Sequence, residues 1–218
     1  MAVRDKDYSL GTVPPVDYEP GNPPEGAGLT FLADFYKTDK GTIKHLYTPV
    51  YEDYLKPLRD KPISLLEVGV ASGCSLKMWS AYFPKGKIVG IDNRKECAEM
   101  CKGYDRITIT ICDSRYVNFK ELFDIIIDDG SHISADIAAN YFALWPKLKS
   151  GGLYFIEDTN CTSNPGYINV FNGTREAKDF ESIHYTHWLD TMKQEVSAGY
   201  SRISSINEHG KLLVLKKK

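Results

Sequence analysis

The stretch that decides the fold is Asp124-Ile125-Ile126-Ile127-Asp128-Asp129-Gly130-Ser131-His132. Three consecutive isoleucines leave no polar face, so this run predicts a central strand of a parallel sheet, covered by helices on both sides. The strand ends in two carboxylates, a hydroxyl and an imidazole, and open parallel sheets bind ligands beyond the carboxyl ends of their strands. The alternative is a buried strand followed by an ordinary polar turn, because Asp-Gly is also a common turn dipeptide.

The composition is that of an ordinary globular protein. The chain has 218 residues, of which 42% are hydrophobic, and a formal net charge of −2. This length allows one large domain, and the charge balance argues against nucleic acid or an anionic membrane as a partner. The five cysteines lack disulfide-like spacing, which suits a reducing compartment. No stretch has signal-peptide or transmembrane character, so we expect a cytoplasmic protein.

Strand and helix patterns alternate from residue 63 onward. Strands are predicted at 63–69, 87–92, 107–113, 124–128 and 153–157, and helices at 75–83, 95–102, 117–122 and 134–148. Repeated units of this length require a parallel sheet with right-handed crossovers. A long helix at 174–198 and a hairpin of 201–206 with 211–215 follow. The predicted fold class is α/β: a Rossmann-like, doubly wound, seven-stranded sheet, mostly parallel, with an antiparallel C-terminal hairpin.

Two segments precede this pattern. Residues 1–28 hold five prolines, so they predict an N-terminal arm, either disordered or draped over the domain, rather than a helix or a central strand. Residues 29–218 are predicted to form one domain that begins with a helical lid at 29–58. Thr48 is the predicted N-cap of the second helix of the lid, with Pro49 in its first turn. The tyrosines of the lid either pack it onto the sheet or form aromatic walls for a ligand.

Acidic residues stand at the ends of three strands. The first strand runs into Glu67-Val-Gly69-Val-Ala-Ser-Gly73-Cys-Ser75, whose glycines allow a sharp turn and a close approach to a ligand. This is neither the Gly-x-Gly-x-x-Gly of dinucleotide binders nor a nucleoside-triphosphate loop. Asp92 follows where a carboxylate can bind a ribose diol, and Asp113 ends the third strand, where it could hold an adenine amino group. One such acid alone indicates a cap or a solvated loop, whereas all of them together favour a nucleoside-type ligand.

These cofactor motifs resemble those of the class I S-adenosylmethionine (SAM) methyltransferases. The chain is more specifically similar to the metal-dependent sugar O-methyltransferases of macrolide biosynthesis, of the mycinamicin and tylosin type. That similarity is carried by Thr38-Asp-Lys-Gly41, His45-x-Tyr-Thr-Pro-x-Tyr51, Asp128-Asp-Gly-Ser-His132 and Ile156-Glu157-Asp158. Cephalosporin hydroxylase-like proteins share part of the pattern. The resemblance covers roughly residues 29–215, and on this comparison we expect the chain to lack the large N-terminal domain of the macrolide enzymes.

The resemblance implies a role for each matching residue. SAM would be held by Glu67, Gly69, Ser75, Asp92, Asp113 and Asp128. A divalent cation would be bound by Asp129, Glu157 and Asp158, and His132 would be the general base. The implied cofactors are therefore SAM and Mg²⁺ or another divalent cation.

The chemistry of the residues agrees with the implied metal site. Asp129 and Glu157–Asp158 end two strands that are neighbours in this topology, so three carboxylates can converge. An all-oxygen cluster suits a hard cation, Mg²⁺ first, with Mn²⁺ or Ca²⁺ as alternatives. Such a cation lowers the pKa of a substrate hydroxyl, and a neutral His132 imidazole could take the proton. The alternative for His132 is a helix-capping or solvated histidine.

We therefore expect a SAM- and Mg²⁺-dependent O-methyltransferase that acts on a small hydroxylated acceptor, a sugar hydroxyl of a glycosylated natural product or glycan. The alternatives are a catechol-like diol or a small amine as acceptor, or a non-catalytic SAM-binding protein. A hydroxylase is disfavoured, because the cluster has no clear set of two histidines and one carboxylate for iron. We expect no nucleic-acid or membrane partner and leave a homo-oligomer open.

Overall fold

The computed structural model describes residues 22–159, 193–194, 196–197 and 203–218. The predicted loop at 159–173, the helix at 174–198 and the arm at 1–28 lie largely outside these residues, so they stay predictions. Within the described part of the chain, no helix is both long and apolar enough to cross a lipid bilayer.

A seven-stranded sheet forms the centre of the fold. Its strands are β1 (Ser64–Val68), β2 (Lys87–Asp92), β3 (Ile107–Ile111), β4 (Phe123–Asp128), β5 (Leu148–Ile156), β6 (Ile203–His209) and β7 (Leu212–Lys217). They lie in the order β3-β2-β1-β4-β5-β7-β6. The first five pair in parallel, whereas β7 is antiparallel to both β5 and β6. The predicted fold class is confirmed.

Between residues 22 and 159, four α-helices surround this sheet: α1 (Leu29–Phe35), α2 (Thr48–Leu55), α3 (Cys74–Tyr82) and α4 (Ser134–Leu144). The isoleucines of β4 are fully buried and divide between two cores. Ile125 and Ile127 pack in the core that contains α1, α2 and α3, whereas Ile126 packs in the core that contains α4. The prediction of a central strand covered on both faces is therefore confirmed.

The helix predicted at 117–122 is wrong. Residues 117–122 form no helix, and the neighbouring 3₁₀ turn lies at Ser114–Tyr116, where the Asp113 carboxylate accepts a hydrogen bond from the Arg115 amide and caps the turn. The helix predicted at 95–102 is likewise reduced to a 3₁₀ segment at Lys95–Glu99.

The predicted N-cap of α2 is also wrong. Tyr47 occupies the N-cap position, and Thr48 is already helical. The Thr48 side chain is instead turned towards α1, where its hydroxyl shares a hydrogen bond of 2.8 Å with the hydroxyl of Thr30.

Candidate active site

A cavity of about 630 Å³ opens beside the carboxyl ends of β1, β2, β3 and β4, which is the expected edge for a ligand in an open parallel sheet. Its size is that of a cofactor or small-molecule site. Its wall includes six of the predicted site residues: Gly69, Ser75, Asp92, Asp113, Asp129 and His132. The other four do not line it: Glu67, Asp128, Glu157 and Asp158.

The glycine loop after β1 touches the end of β4. Gly69 has a φ of 93°, and a Cβ at this position would lie 2.0 Å from the carbonyl oxygen of Asp129. No side chain fits there, so only glycine allows the two backbones to approach so closely. The loop that forms one wall of the cavity is thereby fixed against the strand end that carries Asp129 and His132.

Asp92, at the end of β2, binds the same loop. Its Oδ2 accepts hydrogen bonds from the backbone amides of Val70 and Ala71 at 3.0 and 3.2 Å. Arg94 donates from its amide to Oδ1 at 2.9 Å and pairs its guanidinium with the carboxylate. Burial would raise the pKa of Asp92, but these hydrogen bonds outweigh it and lower the pKa from its usual value. Asp92 is therefore an ionised carboxylate on the cavity wall.

Asp113, the acid predicted to meet an adenine, already has a partner. Arg115 donates to its Oδ2 at 2.6 Å, and the same guanidinium reaches Asp136 at 3.0 Å. The hydrogen bonds from Arg115 lower the pKa of Asp113. A ligand amino group at this position would have to share the carboxylate with Arg115.

Two predicted cofactor residues, Glu67 and Asp128, are buried behind the wall. Ser75 donates its hydroxyl to Glu67 Oε2 at 2.9 Å, and burial raises the pKa of Glu67 to about 7, although Lys40 opposes this. Asp128 accepts from the Asn140 amide at 3.2 Å through both oxygens. Burial also raises the pKa of Asp128 to about 7. These two carboxyls therefore lie behind the wall and not in it.

Lys40 lies among the predicted metal ligands. Its Nζ is 2.5 Å from Asp129 Oδ2, 2.8 Å from Glu157 Oε1 and 3.4 Å from Glu67 Oε1, and its side chain is 0% exposed. Burial alone would lower the pKa of Lys40, but Asp129, Glu157 and Glu67 together raise it well above its usual value. Lys40 is therefore a permanent cation that joins three strand ends.

His132 faces the two outer carboxylates of this group. Its Nε2 is 3.6 Å from Asp129 Oδ1 and 3.9 Å from Asp158 Oδ2. His45 approaches Asp158 Oδ2 at 3.7 Å, and Tyr47 donates its hydroxyl to Asp158 Oδ1 at 2.5 Å. Burial would raise the pKa of Asp158, but Tyr47 and the two imidazoles lower it. Both Asp158 and His132 have positive φ values, 51° and 58°, a conformation that costs energy in residues other than glycine.

The residues present fit a hard divalent cation in their donor chemistry. Glu67, Asp129, Glu157 and Asp158 supply four carboxylates against the single ammonium of Lys40, and carboxylate oxygens are the ligands that Mg²⁺ prefers. Burial raises the pKa of Glu157 well above its usual value, and the charge of Asp129 adds to this, as expected where negative charge is in excess. Among the described residues, however, no three such side chains already surround one ion position.

No family model matches this chain. The 8-demethyl-8-(2-methoxy-alpha-L-rhamnosyl)-tetracenomycin-C 3'-O-methyltransferase of Streptomyces olivaceus is 31% identical over 202 residues, which are 82% of this chain and 50% of that protein. The mycinamicin VI 2''-O-methyltransferase of Micromonospora griseorubida is 34% identical over 155 residues, 64% of this chain and 38% of that protein.

Among solved structures, the MycE methyltransferase of the mycinamycin biosynthetic pathway, in complex with Mg and SAH, superposes with a TM-score of 0.70. The sequence identity is 28%, and the superposition covers 88% of this chain and 55% of the MycE chain. The chain has the fold of the class I SAM-dependent methyltransferases and resembles their sugar O-methyltransferases. It spans about half the length of the curated relatives that it matches over most of its own length.

Several residues of the candidate site were missed by the sequence predictions. Lys40 lies in the Thr38–Gly41 stretch that carries the resemblance, but the sequence predicts no role for it. The sequence predicts a packing or wall role for Tyr51, whereas its hydroxyl donates to Glu157 Oε1 at 2.5 Å. Asn140 lies in α4, where nothing in the sequence distinguishes it from an ordinary helical residue.

Proposed function

We propose that the chain is part or all of a SAM-dependent O-methyltransferase that acts on a sugar hydroxyl of a small glycosylated molecule, with a divalent cation at Asp129, Glu157 and Asp158. The observation that supports this most directly is the position of His132. Its imidazole lies on the wall of the same cavity as Gly69 and within 4 Å of two carboxylates. A base, candidate metal ligands and the candidate cofactor loop thus meet at one point.

In this proposal the cofactor lies along the wall formed by Gly69, Ser75, Asp92 and Asp113. Asp92 offers an ionised carboxylate to a ribose diol, as acidic residues at this strand position do in related nucleotide folds. Glu67 and Asp128 act from behind the wall, where Glu67 holds Ser75 and Asp128 accepts from the Gly130 amide. Gly69 keeps the loop close enough to β4 for the cofactor and His132 to share one space.

Methyl transfer is a single displacement. The acceptor oxygen forms a bond to the methyl carbon while the carbon–sulfur bond breaks. The electron pair of the broken bond stays on sulfur. The hydroxyl proton passes to Nε2 of His132, so neither a nucleophilic serine nor a cysteine is required. The residues of the wall contribute mainly by holding the reacting groups in line.

The metal ligands in this proposal are Asp129, Glu157 and Asp158. When bound, a divalent cation would lower the pKa of an acceptor hydroxyl. Asp129 and Asp158 each direct one oxygen towards His132, so the base and the candidate ligands face the same place. His132 can then accept the proton close to where the hydroxyl is held.

The test is transfer of labelled methyl from SAM to a panel of glycosylated acceptors, with and without EDTA. We expect transfer that EDTA abolishes and Mg²⁺ restores, and His132→Ala should lower kcat by about 10²–10⁴-fold, as for loss of a general base. His209→Ala is the matched control, since His209 lies in β6 and its ring contacts Tyr54 instead of the cavity.

Each other result points to a specific error. Full transfer by His132→Ala would contradict the assigned base, and transfer that survives EDTA would contradict the metal site. Transfer to a catechol or a small amine instead of sugars would change the acceptor class. SAM binding with no transfer to any acceptor would favour a non-catalytic SAM-binding protein.

A further inference from the structure

Lys40 is a fully buried lysine on a segment that does not belong to the sheet. A buried ammonium is costly unless charged partners compensate it. Lys40 has three such partners, and they come from the three adjacent strands β1, β4 and β5 or from the residues that directly follow them. The lysine therefore connects the cofactor strand, through Glu67, with the candidate metal ligands Asp129 and Glu157.

The backbone around Lys40 is held as firmly as its side chain. Its carbonyl oxygen accepts hydrogen bonds from the amides of Tyr47 and Thr48 at 2.8 and 3.2 Å, at the start of α2. The same turn is closed by Asp34, whose carboxylate accepts from the amide and hydroxyl of Thr42, both at 2.8 Å. The ammonium is thus delivered to a fixed point by the helical lid.

We propose that Lys40 is a positioning residue: a built-in cation that holds Asp129 and Glu157 side by side whether or not a divalent ion is bound. This inference rests on the metal-binding part of the proposed function. Each of the two carboxylates uses one oxygen for Lys40. The other oxygen of Asp129 faces His132. Lys40 therefore holds this carboxylate through one oxygen and leaves the oxygen on the His132 side uncovered.

The consequence is that the two carboxylates do not need a metal ion to stay together. Without the ammonium, two carboxyls this close either repel each other as anions or must take up a proton, and either outcome costs stability. In a variant without the ammonium, a divalent ion becomes the cation available to neutralise them. Stability of such a variant should therefore depend on Mg²⁺ more strongly than stability of the natural chain.

The experiment compares the melting temperature Tm in EDTA and in Mg²⁺ for the natural chain, Lys40→Met and Lys44→Met. Lys44 is the control because it lies in the same segment but is 61% exposed and pairs only with Asp39 among the described residues. Lys40→Met should have a lower Tm in EDTA. Mg²⁺ at about 100 times its dissociation constant should raise that Tm by about 5–10 °C. The same Mg²⁺ concentration should shift the natural chain and Lys44→Met by less than half as much.

An equal Mg²⁺ shift in Lys40→Met and in the natural chain would overturn the proposal, since a lysine that merely fills space would lower both Tm values alike. The double variant Lys40→Met/Glu157→Gln removes the ammonium together with the carboxyl that faces it, and it keeps an acceptor for Tyr51. It should recover at least half of the Tm lost by Lys40→Met in EDTA. If Lys40→Met does not fold, the double variant decides: its failure to fold as well would also overturn the proposal.

This readout separates the inference from the proposed function. Methyl transfer that requires Mg²⁺, together with equal Tm shifts, would leave the function standing and remove the role of Lys40. Transfer that needs no metal, together with a larger Tm shift in Lys40→Met, would contradict the role of the metal in the reaction. Lys40 would still be the cation that neutralises Asp129 and Glu157.

Discussion

At the scale of single residues, the site depends on backbone positions as much as on side chains. Gly69 and Asp129 bring two backbones together, and His132 and Asp158 hold positive φ values. Such strained conformations concentrate at functional sites, where the surrounding structure holds them in place.

Gly69→Ala should be among the most damaging small substitutions in the chain. The added Cβ would lie 2.0 Å from the Asp129 carbonyl oxygen at a φ of 93°, so the loop or the end of β4 must move. We expect a loss of about 2–4 kcal/mol in the free energy of unfolding, measured by urea denaturation. Gly103→Ala is the matched control, because Gly103 also has a positive φ, 88°, but its Cβ would meet nothing within 4 Å.

If the two glycine variants lost the same stability, backbone conformation alone would explain the result, and the contact between Gly69 and Asp129 would not matter. A larger loss in Gly69→Ala isolates the cost of separating the loop from β4.

Asp92→Asn should destabilise the protein in a way that depends on pH. The carboxylate of Asp92 accepts from Val70, Ala71 and Arg94, and its pKa lies below the usual value. A carboxyl with a lowered folded pKa stabilises the protein above its unfolded pKa, and that contribution is lost as the pH falls through the folded pKa. The variant should therefore lose about 1–3 kcal/mol near neutral pH, with a smaller difference from the natural chain at about pH 3.

Urea denaturation of both proteins at the two pH values measures this difference. An undiminished difference at low pH would mean that the charge of Asp92 is not what stabilises the loop. Binding of S-adenosylhomocysteine, measured in parallel by calorimetry, shows whether the same carboxylate also contributes to the cofactor site.

At the scale of elements, α2 contacts the carboxylates that surround Lys40. Tyr51 is fully buried, its ring packs against Trp79 and Phe155 with centroid distances of 5.1 and 4.6 Å, and its hydroxyl donates to Glu157. Of the two interpretations of the lid tyrosines, packing onto the sheet applies to Tyr51, which does not line the cavity. Glu157 thus receives a hydrogen bond from Tyr51 in α2 and pairs with the Lys40 ammonium from the turn before this helix.

Tyr51→Phe should remove this donor while leaving the packing in place. Glu157 then keeps Lys40 but loses one hydrogen bond in a buried setting, so we expect a loss of about 1–3 kcal/mol in the free energy of unfolding. Tyr54→Phe serves as the control, since the Tyr54 hydroxyl meets His209 at 3.0 Å in a partly buried position. Equal effects of the two substitutions in urea denaturation would argue against a special role of the Tyr51 hydroxyl.

At the scale of the whole molecule, the sheet was predictable because its signals are periodic. The isoleucines of β4, the alternation of strands with helices and the acids at strand ends together define a parallel sheet and its ligand-binding edge. The fold and the relatives agree with the resemblance to class I SAM methyltransferases. The roles of the individual site residues are proposals.

What the sequence could not provide were contacts between distant segments. Lys40 and Asp129 are 89 positions apart, and no periodicity relates a lid residue to a strand end. The helix expected at 117–122 differs from these cases: a local hydrogen bond from Arg115 to Asp113 closes a tight turn at Ser114–Tyr116, and no helix follows that turn. Asn140 was invisible because an amide in a helix carries no pattern until its partner, Asp128, is known.

Lys40 lies in the segment before α2. The chain therefore cannot be divided between α2 and the sheet without losing the ammonium that pairs with the carboxylates. A fragment beginning after residue 58 would keep every parallel strand of the sheet and all the carboxylates. It would nevertheless bury Glu67 and Glu157 without the cation that neutralises them and without the Tyr51 hydroxyl. Residues 29–58 are therefore needed by the sheet, and protein engineers who transplant this sheet into another scaffold would have to include this segment.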